Sequence, residues 1–352
     1  MEKQCSTAAA QGTCRAFTLV EMLISIVVLA LLVLLVTQVV NTAATVVRPA
    51  NKHIDTDTQG RAILDRMAID FGRMLKRTDV DCYLKGPANY NGHSNGHGWG
   101  RRVQTNQQGS DQIAFFSQVP GYYPATGSQS PLSLVAYRVN QNTNVGNPSY
   151  LTLERMGKGL LWNGLTNTNS STPIVFLPLL ISNTWPAAVN NGNGANSQDS
   201  TAYETIGPQV FRFEYYYLLK SGILTDVPWD TVAGHTSLNG FRDVEAIAVA
   251  FAAIDPASRA LIPVASLFDL SSDLADFKTA PGRPGAPGGQ KKAGDLENYW
   301  KGVLFGSTAL GLPGVVNTGQ TSSGSPVPPA AVSAIRIYNR YFDLKTPDLK
   351  TF

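Results

Sequence analysis

From position 22 to position 47 the chain runs for 26 residues without a charged side chain. As an α-helix such a run is roughly 39 Å long, enough to cross a bilayer with some tilt. Residues 22–36 are aliphatic apart from Ser25. A soluble amphipathic helix would place polar residues every three or four positions, and this stretch does not. The segment belongs in lipid, and any fold for the remainder starts from that anchor.

Three kinds of N-terminal segment carry such a run. A secretory signal puts its small residues after the apolar stretch, where cleavage removes it. Here the run continues through Thr37, Gln38, Asn41 and Thr42 as if still helical, and the small residue comes first, in Arg15-Ala16-Phe17-Thr18-Leu19-Val20-Glu21. An ordinary anchor gives no reason for Glu21, because a carboxylate entering hydrocarbon costs on the order of 2.5–3.5 kcal/mol even on the lenient scale.

The Ala16–Glu21 residues resemble the prepilin-type cleavage and methylation motif of type IV pilin-like proteins. That resemblance implies a leader over residues 1–16, cytoplasmic cleavage between Ala16 and Phe17 by a prepilin peptidase, and N-methylation of Phe17. The residue before the cut is usually Gly, so Ala16 implies slower processing. Glu21 becomes the fifth mature residue. Residues four apart share a helix face, so the Phe17 amine and the Glu21 carboxylate lie at one depth and neutralise each other. In the family this pairing runs between neighbouring subunits, which makes Glu21 the assembly residue; pairing within one chain is the alternative.

The apolar segment is expected to span residues 17–47 and an amphipathic continuation residues 48–80. Pro49 is expected to kink or interrupt the helix, and Asp55-Thr56-Asp57-Thr58 to supply N-caps for a new start. Ile63, Leu64, Met67, Phe71, Met74 and Leu75 follow at spacings of three and four, with Arg61, Asp65, Arg66, Asp70, Arg73 and Arg77 on the other faces. That pattern predicts a helix packed on a folded domain.

Residues 81–352 form the expected exported β-rich domain. Only 15% of the chain is charged against 43% hydrophobic, which suits a loop-rich globular protein outside the cytoplasm. β-branched and aromatic runs predict strands at 112–117, 132–139, 150–155, 210–218, 244–251 and 334–342. Weaker helix or turn signals lie at 267–277 and 296–305. Stretches 86–109, 190–200, 280–294 and 317–329 read as long surface loops. The whole predicts an α+β, pilin-like layout: a long N-terminal helix on antiparallel sheet. The aromatic strand from Val210 to Tyr217 with the strand at 244–251 resembles J-type minor pseudopilins of type II secretion, and the Ile335–Phe342 run resembles the closing signature of Verru_Chthon cassette protein C.

Constellations for chemistry are sparse. No G-x-S-x-G, P-loop, H-E-x-x-H or C-x-x-C motif occurs. His93 and His97 sit four apart but among glycines and asparagines, which predicts a solvated loop rather than a helical metal site. Asp55 and Asp57 lack the remaining residues of a calcium loop. Cleavage would remove Cys5 and Cys14 and leave Cys82 as a small buried residue with no disulfide partner. Tyr215, Tyr216 and Tyr217 read as sheet-filling side chains. A net charge of +3 is too small and too dispersed to imply nucleic acid.

The expectation is a structural subunit without cofactor or metal, not an enzyme. It would be a minor pilin or pseudopilin in the inner membrane, spanning once, with its C-terminal domain in the periplasm or on the cell surface. Its partners would be other pilin or pseudopilin subunits, the prepilin peptidase and secreted cargo. The alternatives are a pilin-anchored adhesin whose Asn/Gly-rich loops bind glycans and, least favoured, an anchored enzyme, which would need an acidic pair with shifted pKa values in a deep pocket.

Overall fold

The computed structural model describes residues 18–76, 83–85, 110–122, 129–140, 149–159, 203–235, 239, 241–277 and 291–344. The chain divides into two compact units, Met1–Lys52 and His53–Phe352. One helix, α1 (Leu19–Gly72), is continuous through both Pro49 and the Asp55–Thr58 residues. The expected interruption does not occur. Proline forfeits one intrahelical hydrogen bond and crowds the preceding turn, but neither ends the helix here. Asp57 is accordingly no N-cap: its Oδ1 accepts a hydrogen bond from the Tyr338 hydroxyl at 2.5 Å.

Among the described residues, seven strands form one sheet in the order β1-β2-β5-β6-β3-β4, with β7 added on β6. They are β1 (Tyr83–Lys85), β2 (Gln112–Ser117), β3 (Gly121–Tyr122), β4 (Gln129–Ser130), β5 (Ser133–Val139), β6 (Leu153–Gly159) and β7 (Tyr203–Gly207). All pairings are antiparallel except β3 with β6. The second sheet runs β11-β10-β8-β9, built from β8 (Val210–Leu219), β9 (Leu224–Thr225), β10 (Val244–Ala253) and β11 (Arg336–Asp343). The layout is α+β and pilin-like: a long apolar N-terminal helix with largely antiparallel sheet.

Period-two alternation decides which side of the second sheet meets what. Phe213, Tyr215 and Tyr217 on β8 stand beside Phe251, Val249 and Ile247 on β10 and Tyr338, Arg340 and Phe342 on β11. This side meets α1: Tyr338 reaches Asp57, Arg340 pairs with Asp65 at 2.7 Å, and Phe342 packs on Phe71 at 5.2 Å between ring centroids. The Phe71 ring also stacks on Phe115 of β2 at 5.1 Å, so one side chain joins the helix to both sheets. The opposite side carries Arg212, Glu214 and Tyr216 next to Ala252, Ala250 and Ala248.

That opposite side is roofed by short helices, α2 (Pro256–Arg259), α3 (Val264–Asp273), α4 (Asp295–Phe305), α5 (Val315–Thr318) and α6 (Pro329–Val332). Tyr216 stacks on Phe277 at 4.3 Å, and its hydroxyl donates to Glu297 of α4. The indole N–H of Trp300 donates to the Ala275 carbonyl, tying α4 to the exit of α3. Sheet faces and helices together leave all of β10 after Glu245 buried.

The stretch 317–329 is not simply a surface loop. Val327 is buried, Gln320 bridges to Pro326, and Ser322 and Ser325 donate to Asp273 and Asp269 of α3. The strand expected at 150–155 lies later, at Leu153–Gly159. Leu151, with φ of 52°, turns the chain there instead, held by Arg259, whose guanidinium donates to the Tyr150 and Leu151 carbonyls. Of the stretch 280–294 only residues 291–294 are described, and 86–109 and 190–200 lie outside the described residues.

Candidate assembly site

Among the described residues, the N-terminal unit offers an apolar surface that no side chain covers. Residues Leu19–Thr42 are long and apolar enough to cross a membrane, and none of the stretch is buried. Its leucines, isoleucines and valines are half or more exposed, from Val27 at 50% to Leu19 at 80%. Water would not tolerate such a surface on an isolated soluble protein. Three hydroxyls on it bond back into the helix: Ser25 donates to the Glu21 carbonyl, Thr37 to Val33 and Thr42 to Gln38, each four residues back. In hydrocarbon, where no water can take those bonds, this internal pairing is required.

Thr18 and Glu21 close the start of α1 on each other. The Thr18 amide and hydroxyl both lie 3.0 Å from Glu21 Oε2, and the Glu21 amide donates back to Thr18 Oγ1 at 3.3 Å. This reciprocal arrangement is a capping box, which satisfies two of the amides that every helix start leaves without partners. A carboxylate at this end also meets the positive pole of the helix. Thr18 went unremarked in the sequence, although a threonine three residues ahead of a glutamate before an apolar run is the signal for it. Ala16 and Phe17 lie outside the described residues, as do Cys5, Cys14, Cys82, His93 and His97.

Among the buried polar groups described in the His53–Phe352 unit, two join separate elements around carboxylates. In the first, Asp70 on α1 is wholly buried and accepts hydrogen bonds from Tyr137 of β5 and from the Arg155 guanidinium of β6 at 2.7 and 3.1 Å. Burial, followed by the Asp70 charge, pushes the Tyr137 hydroxyl well above its ordinary range, while Arg155 acts in the other direction. The group pins α1 to the seven-stranded sheet.

The second is Asp111, Glu214 and Asp276, whose carboxylate oxygens lie within 4.8 Å of one another. Such oxygens are close enough to converge on a cation, but the chain supplies positive charge itself: Arg212 Nη2 lies 2.7 Å from Glu214 Oε1. All three are buried, with exposures of 4%, 0% and 2%.

The described motif of known proteins that matches is the prokaryotic N-terminal methylation motif, over residues 12–37. The chain therefore carries a prepilin-type N-terminus. This motif marks a type IV pilin-like or pseudopilin-like protein, and it implies processing by a prepilin peptidase and assembly with pilin subunits. No curated protein matches the chain, and no solved structure does. The pilin-like helix is consistent with a single-pass membrane anchor.

Proposed function

We propose that the chain is a minor pilin or pseudopilin, a structural and non-catalytic subunit of a type IV pilus-like filament or of a type II secretion pseudopilus. The observation that carries this reading is the uncovered Leu19–Thr42 surface directly behind a methylation motif. A helix so apolar and so bare is complete only in lipid or against like helices, where close packing replaces the hydrophobic drive available in water. Cleavage falls between Ala16 and Phe17, Phe17 is methylated, and Glu21 meets the new amine of a neighbouring subunit. The exported unit then stands on the far side of the inner membrane and contacts sibling subunits or cargo.

The segments resembling J-type pseudopilins and cassette protein C supply β8, β10 and β11, the strands that pack on α1. This supports a minor rather than a major subunit. The Asn/Gly-rich stretches on which an adhesive role would depend lie outside the described residues, so no observation favours that reading.

Two measurements test the proposal. N-terminal sequencing and intact mass of the membrane-extracted protein should give a chain beginning at methylated Phe17; a start beyond residue 47 would end the proposal. Glu21→Ala should sharply reduce recovery of the subunit in sheared filament fractions while leaving the thermal unfolding of the exported unit unchanged. Normal incorporation of that variant would argue for a plain anchor.

A further inference from the structure

Ionisable side chains from several elements of the exported unit converge between the two sheets and the helical roof. β8 supplies Arg212 and Glu214, the residues entering β2 supply Asp111, and the residues leaving α3 supply Asp276. Lys291, just ahead of α4, brings an ammonium that is shielded from solvent and feels the charges of Asp276, Asp226, Glu214 and Asp295. Behind the cluster, β10 sets only Ala250 opposite Glu214, and α4 places the Trp300 ring 5.8 Å from the Arg212 guanidinium. The Arg212 contact with Glu214 is close but poorly aligned, and its Nε and Nη1 have no acceptor.

Three carboxylates so close together and shut from water repel one another strongly if all are charged. Two cations, Arg212 against Glu214 and Lys291 nearby, face three carboxylates, and the hydrophobic wall of Ala250, Trp300 and Phe277 shuts out solvent. We propose that Glu214 holds a proton shared with Asp111, and that this proton keeps α3 and α4 docked on β8. Loss of the proton places uncompensated charge between strand and roof and loosens the roof. The exported unit thereby contains a proton-dependent latch.

Burial is the largest influence pushing the Glu214 carboxyl well above its ordinary value of 4.5, followed by the charges of Asp111 and Asp276, with Arg212 opposing. A carboxyl raised in the folded state stabilises the fold fully below its unfolded value and loses that contribution as pH climbs towards the folded value. The latch is therefore firm in acid and weak in alkali.

The test uses the full-length protein in detergent micelles, with thermal midpoints followed by tryptophan fluorescence from about pH 5 to about pH 9. The wild-type midpoint should shift downwards across this range. Glu214→Gln should flatten the shift and exceed wild type at the alkaline end; Asp111→Asn should shrink the shift and level it at lower pH. Hydrogen–deuterium exchange on the wild type, corrected for intrinsic rates, should show protection lost in residues 264–277 and 291–305 before the seven-stranded sheet. A Glu214→Gln slope equal to wild type, or unchanged protection of those peptides, would overturn the proposal. So would a rise in the wild-type midpoint with calcium chloride that Glu214→Gln abolishes, which would reassign the cluster as a cation site.

Discussion

Glu21 and Asp70 are both carboxylates on α1, and their surroundings give them opposite tasks. Glu21 is exposed and closes the helix start with Thr18. Asp70 is sealed and holds Tyr137 and Arg155. Removing one member of a buried pair strands the other charge, at a cost of about 3–5 kcal/mol. Asp70→Asn should therefore lower the stability of the His53–Phe352 unit by that order, measured by urea unfolding, and a loss below about 1 kcal/mol would mean the pair is solvated after all. Thr18, Glu21 and Asp70 were all legible as residue types. What the sequence could not assign was the partner: Arg155 lies far along the chain and meets Asp70 only because β6 sits beneath the helix.

Among the elements, the long ones were written in the sequence and the short ones were not. The strands at 112–117, 210–218 and 244–251 emerge close to their expected limits because β-branched and aromatic runs prefer extended backbone regardless of partner. β3, β4 and β9 have two residues each, too few to show any period, and they form only because a neighbouring strand offers hydrogen bonds. β3 also depends on a glycine. A Cβ on Gly121 would lie 2.7 Å from the Gly157 carbonyl oxygen and 2.9 Å from the Gly159 amide nitrogen of β6. Gly121→Ala should thus push β3 off β6 and cost about 1–3 kcal/mol, the usual range for overpacking. An unchanged unfolding midpoint would show that the two strands can part freely. The continuous α1 is the converse case: Pro49 was a local signal to stop and the Asp55–Thr58 run one to start again, and the helix runs through both.

At the scale of the whole molecule, the apolar helix and the His53–Phe352 unit are held together in different ways. The first conceals its backbone and hydroxyl groups within itself; the second buries aromatic side chains between two sheets and a roof of helices. The pH response expected of that roof belongs to this scale, since Asp111, Glu214, Asp276 and Lys291 come from four separate segments. Sequence alone determined the membrane anchor, the processing motif with its Glu21, the α+β class and the main strands. Each of these arises from composition or spacing within a few turns of chain, where local sterics and solvent preference act directly. Only the tertiary structure decided that Arg212 and Glu214, alternating as outward-facing strand residues would, are buried. The reason is that α3 and α4 cover the second face of β8, and whether a face meets water or a helix is settled by residues far away in the sequence.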